Sequence, residues 1–257
     1  MDHSAHTAVL LAAGRGTRLG ALTADTPKPL LEVVGAPLIE HIVRAFAEAG
    51  VWRFIVVTGY LGEQIAAWCA RFALDNPGIE LEAVTQRELN GTGGAMLAAR
   101  EKIADQSKFI FGWGDVLMDR ANYRRFVARA AENDFDLLLA ANRMKDPWRG
   151  AAVYLSADMH VERLVEKPPQ GESDTEWNNA GLFAAKPMLF DYVTQLVPSP
   201  RGELELPLAI AAMINDGREV RAIDMRGFWS DVGTAADLEL ARKRFRPKPG
   251  TRKPRLK

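Results

Sequence analysis

Two hydrophobic rhythms alternate along the first 140 residues of the chain. AVLLA (8–12), FIVVTG (54–59), IELEAVT (79–85), KFIFGWGD (108–115) and FDLLLAAN (135–142) are short apolar or alternating runs that read as strands. Longer segments with helical spacing lie between them. In PLIEHIVRAFAEAG, Leu38, Ile39, Ile42, Val43 and Phe46 share one face and Gly50 supplies a stop; the next helix carries Ile65, Trp68, Cys69 and Phe72. GGAMLAAREKI and YRRFVARAAEN read as two more helices. Strands alternating with helices predict a mostly parallel sheet covered on both faces, an α/β fold.

The pattern changes after about residue 143. AAVYLS, HVERLVEK and AGLFAA are short extended runs, followed by two predicted helices, PMLFDYVTQL and ELPLAIAAMIND. One strand-like run, EVRAIDMRGFWSDV, leads into a last helix, TAADLELARKRF. Nothing divides these halves, and no internal period is present. The expectation is one domain over residues 7–245, with a flexible tail at 1–6 and a basic, disordered tail at 246–257.

Composition adds little until charge is considered. The 257 residues are 47% hydrophobic and 26% charged, as in ordinary globular proteins. No apolar run is long enough to span a bilayer, and MDHSAHTAVLLAAG lacks a secretory pattern. With the single cysteine, Cys69, in an apolar helical pattern, this predicts a cytoplasmic protein without a disulfide framework. The formal net charge is zero, yet nine of the 33 basic residues fall after Ala241 with no acid among them. No interleaved aromatics accompany that tail, so nucleic acid is not an expected partner.

The chemistry begins at VLLAAGRGTRLG (9–20), a glycine-rich, doubly cationic loop after a strand. A dinucleotide fingerprint needs a third glycine where Leu19 stands, and no acidic ribose partner ends FIVVTGY. A P-loop needs Lys followed by Ser or Thr five residues after its first glycine, which neither Gly14 nor Gly16 provides. What remains is a loop whose backbone can approach phosphates, with Arg18 at its far end and Lys28 ten residues on. Two cations and a nest of amides suit a triphosphate, whose charge must be neutralised before attack. Arg15 reads as a solvated loop residue.

This loop, with PKPLL following, resembles the sugar-1-phosphate nucleotidyltransferases, or nucleoside-diphosphate-sugar pyrophosphorylases. The likeness runs from about Thr7 to Phe245 and includes QRELNGTGGA (86–95), GD (114–115), VEKP (165–168), NAG (179–181) and WSDVGT (229–234), all in the family's order. It implies a single-domain, Rossmann-like mixed sheet flanked by helices. The implied reaction is attack by the phosphate oxygen of a sugar 1-phosphate on the α-phosphorus of a nucleoside triphosphate, releasing pyrophosphate. The nucleophile is already anionic, so no general base is required and catalysis rests on positioning and charge neutralisation.

The resemblance assigns Arg18, Lys28 and Lys167 to the catalytic cations and Asp115 and Asp231 to Mg²⁺. It places Leu11, Ala13, Gly14, Gly16, Thr17, Gln86, Gly91 and Thr92 against the nucleotide. Gly150, Glu166, Asn179 and Ala180 fall to the sugar phosphate, with Asn178 next door as an alternative to Asn179. A homo-oligomer is also implied.

Ala21, Gly93 and Trp113 depart from the family's usual proline, alanine and asparagine. GTGGA also occurs in relatives using purine nucleotides or heptoses. The first expectation is UTP or dTTP with a hexose such as glucose. GTP or CTP with mannose, heptose or another sugar stays open, as does a catalytically silent nucleotide-sugar sensor. Retention of all five charged residues favours an enzyme.

Overall fold

The computed structural model describes residues 6–246. The expected tails lie largely outside this range. His6 is an exception: its carbonyl accepts from Trp52 N and Arg53 N at 3.3 and 3.2 Å.

In chain order, β1 (Thr7–Ala12) leads through the glycine loop to a hairpin of β2 (Glu32–Val33) and β3 (Ala36–Pro37), then α1 (Leu38–Glu48). β4 (Arg53–Thr58), α2 (Gly62–Asp75), β5 (Glu80–Thr85), α3 (Thr92–Ala98) and β6 (Phe109–Trp113) follow. Next come β7 (Val116–Met118), α4 (Arg120–Ala130), β8 (Leu137–Arg143), β9 (Ala151–Leu155), β10 (Val161–Glu166) and β11 (Trp177–Ala185). α5 (Leu189–Val193), α6 (Leu206–Asn215), β12 (Val220–Asp224), β13 (Trp229–Asp231) and α7 (Ala235–Arg244) complete the described chain.

The main sheet runs β10-β9-β11-β6-β1-β4-β5, and β8 joins β11 to β12. Its first-half strands β6, β1, β4 and β5 are parallel, whereas β11 is antiparallel to β6, β8 and β9. Successive residues of the central strands face opposite cores. Ala8, Leu10 and Ala12 of β1 pack with α1, α2, α4 and α7, while Val9 and Leu11 pack with α3, α5 and α6. Phe54 and Val56 against Ile55 and Val57 repeat the division in β4. A strand buried on both faces must be apolar throughout, which is why AVLLA and FIVVTG lack polar interruptions. β5, at an edge, alternates instead.

Three elements differ from the sequence pattern. EVRAIDMRGFWSDV is not one strand: β12 pairs with β8 in the main sheet, whereas β13 pairs with β7 in a separate ribbon. Gly227 turns between them at φ 76°. PMLFDYVTQL gives only the five-residue α5, and the helix from Thr92 ends at Ala98 before a 3₁₀ turn at Arg100–Ile103. Among the apolar helical positions, Cys69 is buried and Trp68 half-buried. Burial pushes the Cys69 thiol up to about 12, so it is a core residue rather than a nucleophile.

Candidate active site

Most of the expected residues meet in one cleft of about 580 Å³ at the carboxyl ends of β1 and β6, where open α/β sheets place ligands. The parallel register sets Leu11 beside Trp113, and Gly114 N donates to Leu11 O at 2.9 Å. The loop after β1 therefore faces the Gly114–Asp115 corner after β6. Leu11, Ala13, Gly14, Gly16, Thr17 and Arg18 form one wall.

The β7–β13 ribbon brings in the second carboxylate. Asp231 pairs with Val116, the neighbour of Asp115, and Val232 N donates to Asp115 O at 3.1 Å. Lys28 lies in an adjoining recess of about 240 Å³, with its Nζ 2.5 Å from Asp115 Oδ2 and 3.5 Å from Asp231 Oδ1. Burial opposes the lysine's charge, yet the two carboxylates hold its ammonium above the ordinary lysine value. Burial and the neighbouring Asp115 push Asp231 up, against Lys28 and Arg18. Arg18 Nη2 is 4.0 Å from Asp231 Oδ2 and its side chain is 63% exposed, free to reach into the cleft.

Among the described residues no group of three or more His, Cys, Asp or Glu could enclose a metal. Asp115 and Asp231 offer hard oxygen donors at one point, and a cationic nitrogen already sits between them. That donor set fits an ion such as Mg²⁺, which takes one or two protein carboxylates and completes its shell from phosphate and water.

At the end of the cleft expected to hold the nucleotide, Gln86 is buried, and its Nε2 donates to Asn90 Oδ1 and Gly91 O, each at 3.1 Å. The amide nitrogen is thus engaged within the loop. Gly91 adopts φ 103°, and a Cβ there would lie 2.7 Å from Leu204 O, so only glycine fits. Thr92 lines the cleft, but its hydroxyl accepts from Leu206 N at 2.9 Å and so serves the start of α6.

At the other end, Gly150, Glu166, Lys167, Asn178 and Asn179 converge. Asn178 and Asn179 are both buried; Asn179 Oδ1 accepts from Gly181 N at 2.9 Å, and Asn178 Nδ2 donates to Asn142 Oδ1 at 2.9 Å. Ala180 does not reach the cleft wall: it is fully buried and its carbonyl accepts from Trp229 Nε1 at 3.0 Å.

The sequence reading missed Arg201 and Glu205. Arg201 lies 3.6 Å from Glu166 and donates to Glu205, whose side chain is 8% exposed. Their signal was the i, i+4 spacing in RGELE ahead of α6. Burial, then Glu205, pushes the Glu166 carboxyl up to about 7 despite Arg201. Among the described residues the histidines supply no competing centre: His41 is buried against Val33 O at 2.6 Å and pushed down by burial, and His160 faces Glu219 at 3.8 Å.

Residues 7–246 match the nucleotidyl transferase family. The chain belongs to that family. Relatives include the bifunctional protein GlmU of Methanococcus maripaludis strain C7, 32% identical over 238 residues, covering 93% of this chain and 54% of the relative. The chain thus spans about half the length of the GlmU proteins it matches. A UTP–glucose-1-phosphate uridylyltransferase, AglF of Haloferax volcanii, is 31% identical over 242 residues, covering 93% of this chain and 96% of the relative. A crystal structure of a UDP-glucose pyrophosphorylase complexed with UDP-glucose superposes with a TM-score of 0.79 at 20% identity, covering 92% of this chain and 97% of that one. This nucleotidyl transferase therefore shares the fold of that pyrophosphorylase. No helix among its described residues is long and apolar enough to cross a membrane.

Proposed function

We propose that the chain is a Mg²⁺-dependent sugar-1-phosphate nucleotidyltransferase that uses UTP or dTTP with a hexose 1-phosphate, glucose first. One observation carries this reading. A single cleft joins a cation-flanked glycine loop and a carboxylate pair to a separate polar end holding Lys167, Glu166 and Asn179. Two polyanionic substrates need such a site, with positive charge at both ends and no general base. The relation to AglF supports UTP and glucose 1-phosphate as the first pair to try.

In this account the triphosphate lies along the loop at Gly14–Thr17. Arg18 and Lys28 neutralise the β- and γ-phosphates and stabilise the departing pyrophosphate. Lys167 holds the phosphate of the sugar near the α-phosphorus, shortening the approach of two anions. Glu166 and Asn179 orient the sugar hydroxyls; a carboxyl near 7 can accept or donate a hydrogen bond at neutral pH. Gln86, its amide nitrogen engaged with Asn90 and Gly91, offers its oxygen to the base. Mg²⁺ bound at Asp115 and Asp231 would supply charge neutralisation of phosphate oxygens.

The test is pyrophosphate release across ATP, GTP, CTP, UTP and dTTP with several sugar 1-phosphates, with Mg²⁺ and with EDTA. A Mg²⁺-dependent signal with UTP or dTTP and a hexose phosphate is expected. A signal confined to GTP or CTP would move the base assignment, and nucleotide-sugar binding without turnover would favour a sensor.

A further inference from the structure

The carboxylate pair is already occupied by a side chain. Lys28 Nζ lies 2.5 Å from Asp115 Oδ2 and 3.5 Å from Asp231 Oδ1, and its side chain is 9% exposed. A magnesium ion bound to the same Asp115 oxygen would sit about 2.0–2.1 Å from it. Ammonium and metal would then lie within a few ångströms of each other, and two cations that close repel. While the ammonium stays on Asp115 Oδ2 and Asp231 Oδ1, it competes with a metal for the same carboxylate pair.

The main chain of Lys28 is not free to retreat. It lies between Pro27 and Pro29 in a 3₁₀ turn closed by Leu30 N to Pro27 O at 2.8 Å and Leu31 N to Lys28 O at 3.1 Å. Its four-carbon stem is therefore the part that can move. The recess holding it is lined by Gly14, Gly16 and Arg18, so one direction open to the ammonium is toward the loop expected to hold phosphates. A triphosphate there offers the anionic oxygens that could replace Asp115 and Asp231 as partners.

We propose that Lys28 is a placeholder cation: it keeps the carboxylate pair closed to divalent metal until a bound triphosphate draws it away, coupling metal entry to nucleotide binding. This rests on the assignment of the metal to Asp115 and Asp231. Without nucleotide, the protein binds divalent metal weakly even though both carboxylates are in place. Removing the ammonium opens the pair, and because the coupling is reciprocal, it also removes the part of the nucleotide's effect on metal affinity that acts through Lys28.

The experiment measures Mn²⁺ binding to nucleotide-free protein from the free-ion EPR signal, without any turnover. Lys28→Met should bind Mn²⁺ at least tenfold more tightly than wild type. Lys28→Gln should do the same if the methionine variant fails to fold, and Lys28→Arg should stay as weak as wild type. Adding Asp115→Asn to the open variant should abolish the gain. Equal affinities in wild type and both neutral variants would overturn the placeholder role. A parallel titration of wild type with α,β-methylene-UTP separates the two assignments. Asp115-dependent Mn²⁺ binding there, without a gain in the neutral variants, overturns the placeholder and leaves the metal site standing. No Asp115-dependent Mn²⁺ under either condition overturns both.

Discussion

The main-chain N–H of Lys167 donates to the carbonyl of Gly150 at 2.8 Å, so the lysine just after β10 is tied to the residue just before β9. Lys167 sits there at φ 45°, a left-handed conformation that a side chain adopts at a cost of about 1–2 kcal/mol. Strain of this kind persists when neighbouring contacts over-determine it, as they do at functional sites. Lys167→Ala keeps the strained backbone but removes the ammonium. It should lower kcat/KM for the sugar phosphate by about 100-fold, the scale seen when one charge-stabilising donor is lost. KM for the nucleotide should stay near wild type, and steady-state kinetics in both substrates checks this split.

Gly150 tests the same corner sterically. A Cβ on it would lie 2.4 Å from Asn178 Oδ1, a buried atom without a hydrogen-bond partner. Gly150→Ala should therefore displace the Asn178 amide or the start of β9 and raise KM for the sugar phosphate. Adding Asn178→Ala makes room for the methyl and should recover part of the loss. An equally impaired double variant would assign the defect to something other than this contact.

Glu166 makes stability depend on pH. Its carboxyl titrates near 7 in the folded protein, raised from an ordinary value of 4.5 first by burial and then by Glu205. Between these values the folded protein holds a proton that the unfolded chain has released. Its contribution to stability is therefore present at low pH and lost as pH rises toward 7. Glu166→Gln cannot titrate. Urea unfolding at pH 5 and pH 8 should show wild type losing on the order of 2 kcal/mol more than the variant across that interval. Matching pH slopes would show that Glu166 titrates normally.

Thr234 starts the helix that follows the second carboxylate. Its Oγ1 accepts from Asp237 N at 3.2 Å, and its own N–H donates to Asp237 Oδ2 at 2.8 Å, a reciprocal capping box. Thr234→Ala should lower stability by about 1 kcal/mol, read from the shift in the denaturation midpoint. The smaller loss expected of Thr234→Ser would tie the effect to the hydroxyl.

Much of this arrangement was legible in the chain. β1, β4 and β6 are buried on both faces, so their apolar runs were unambiguous, and the glycine loop and Asp115 lie just past the ends of β1 and β6. Lys28 and Asp115 illustrate what was not legible. The sequence separates them by 87 positions, and only the β1–β6 register and the 3₁₀ turn between two prolines bring them to 2.5 Å. β13 was hidden because a three-residue strand in a two-stranded ribbon has no periodicity of its own. Ala180 is an apolar residue on a strand with two packed faces, and local pattern does not tell which face looks into the cleft. Arg201 was overlooked because its role depends on Glu166, which approaches from β10 across the fold.

The proposed reaction moves the α-phosphorus of a nucleoside triphosphate onto the phosphate oxygen of a sugar 1-phosphate. The protein should be incubated with UTP labelled at the α-phosphate, glucose 1-phosphate and Mg²⁺, and the products separated. Label in a nucleotide sugar, an equal yield of unlabelled pyrophosphate, and loss of both in Asp115→Asn and Asp231→Asn are expected. Label remaining in UTP with every sugar 1-phosphate and every nucleotide tried, in folded protein that still binds nucleotide, would contradict it.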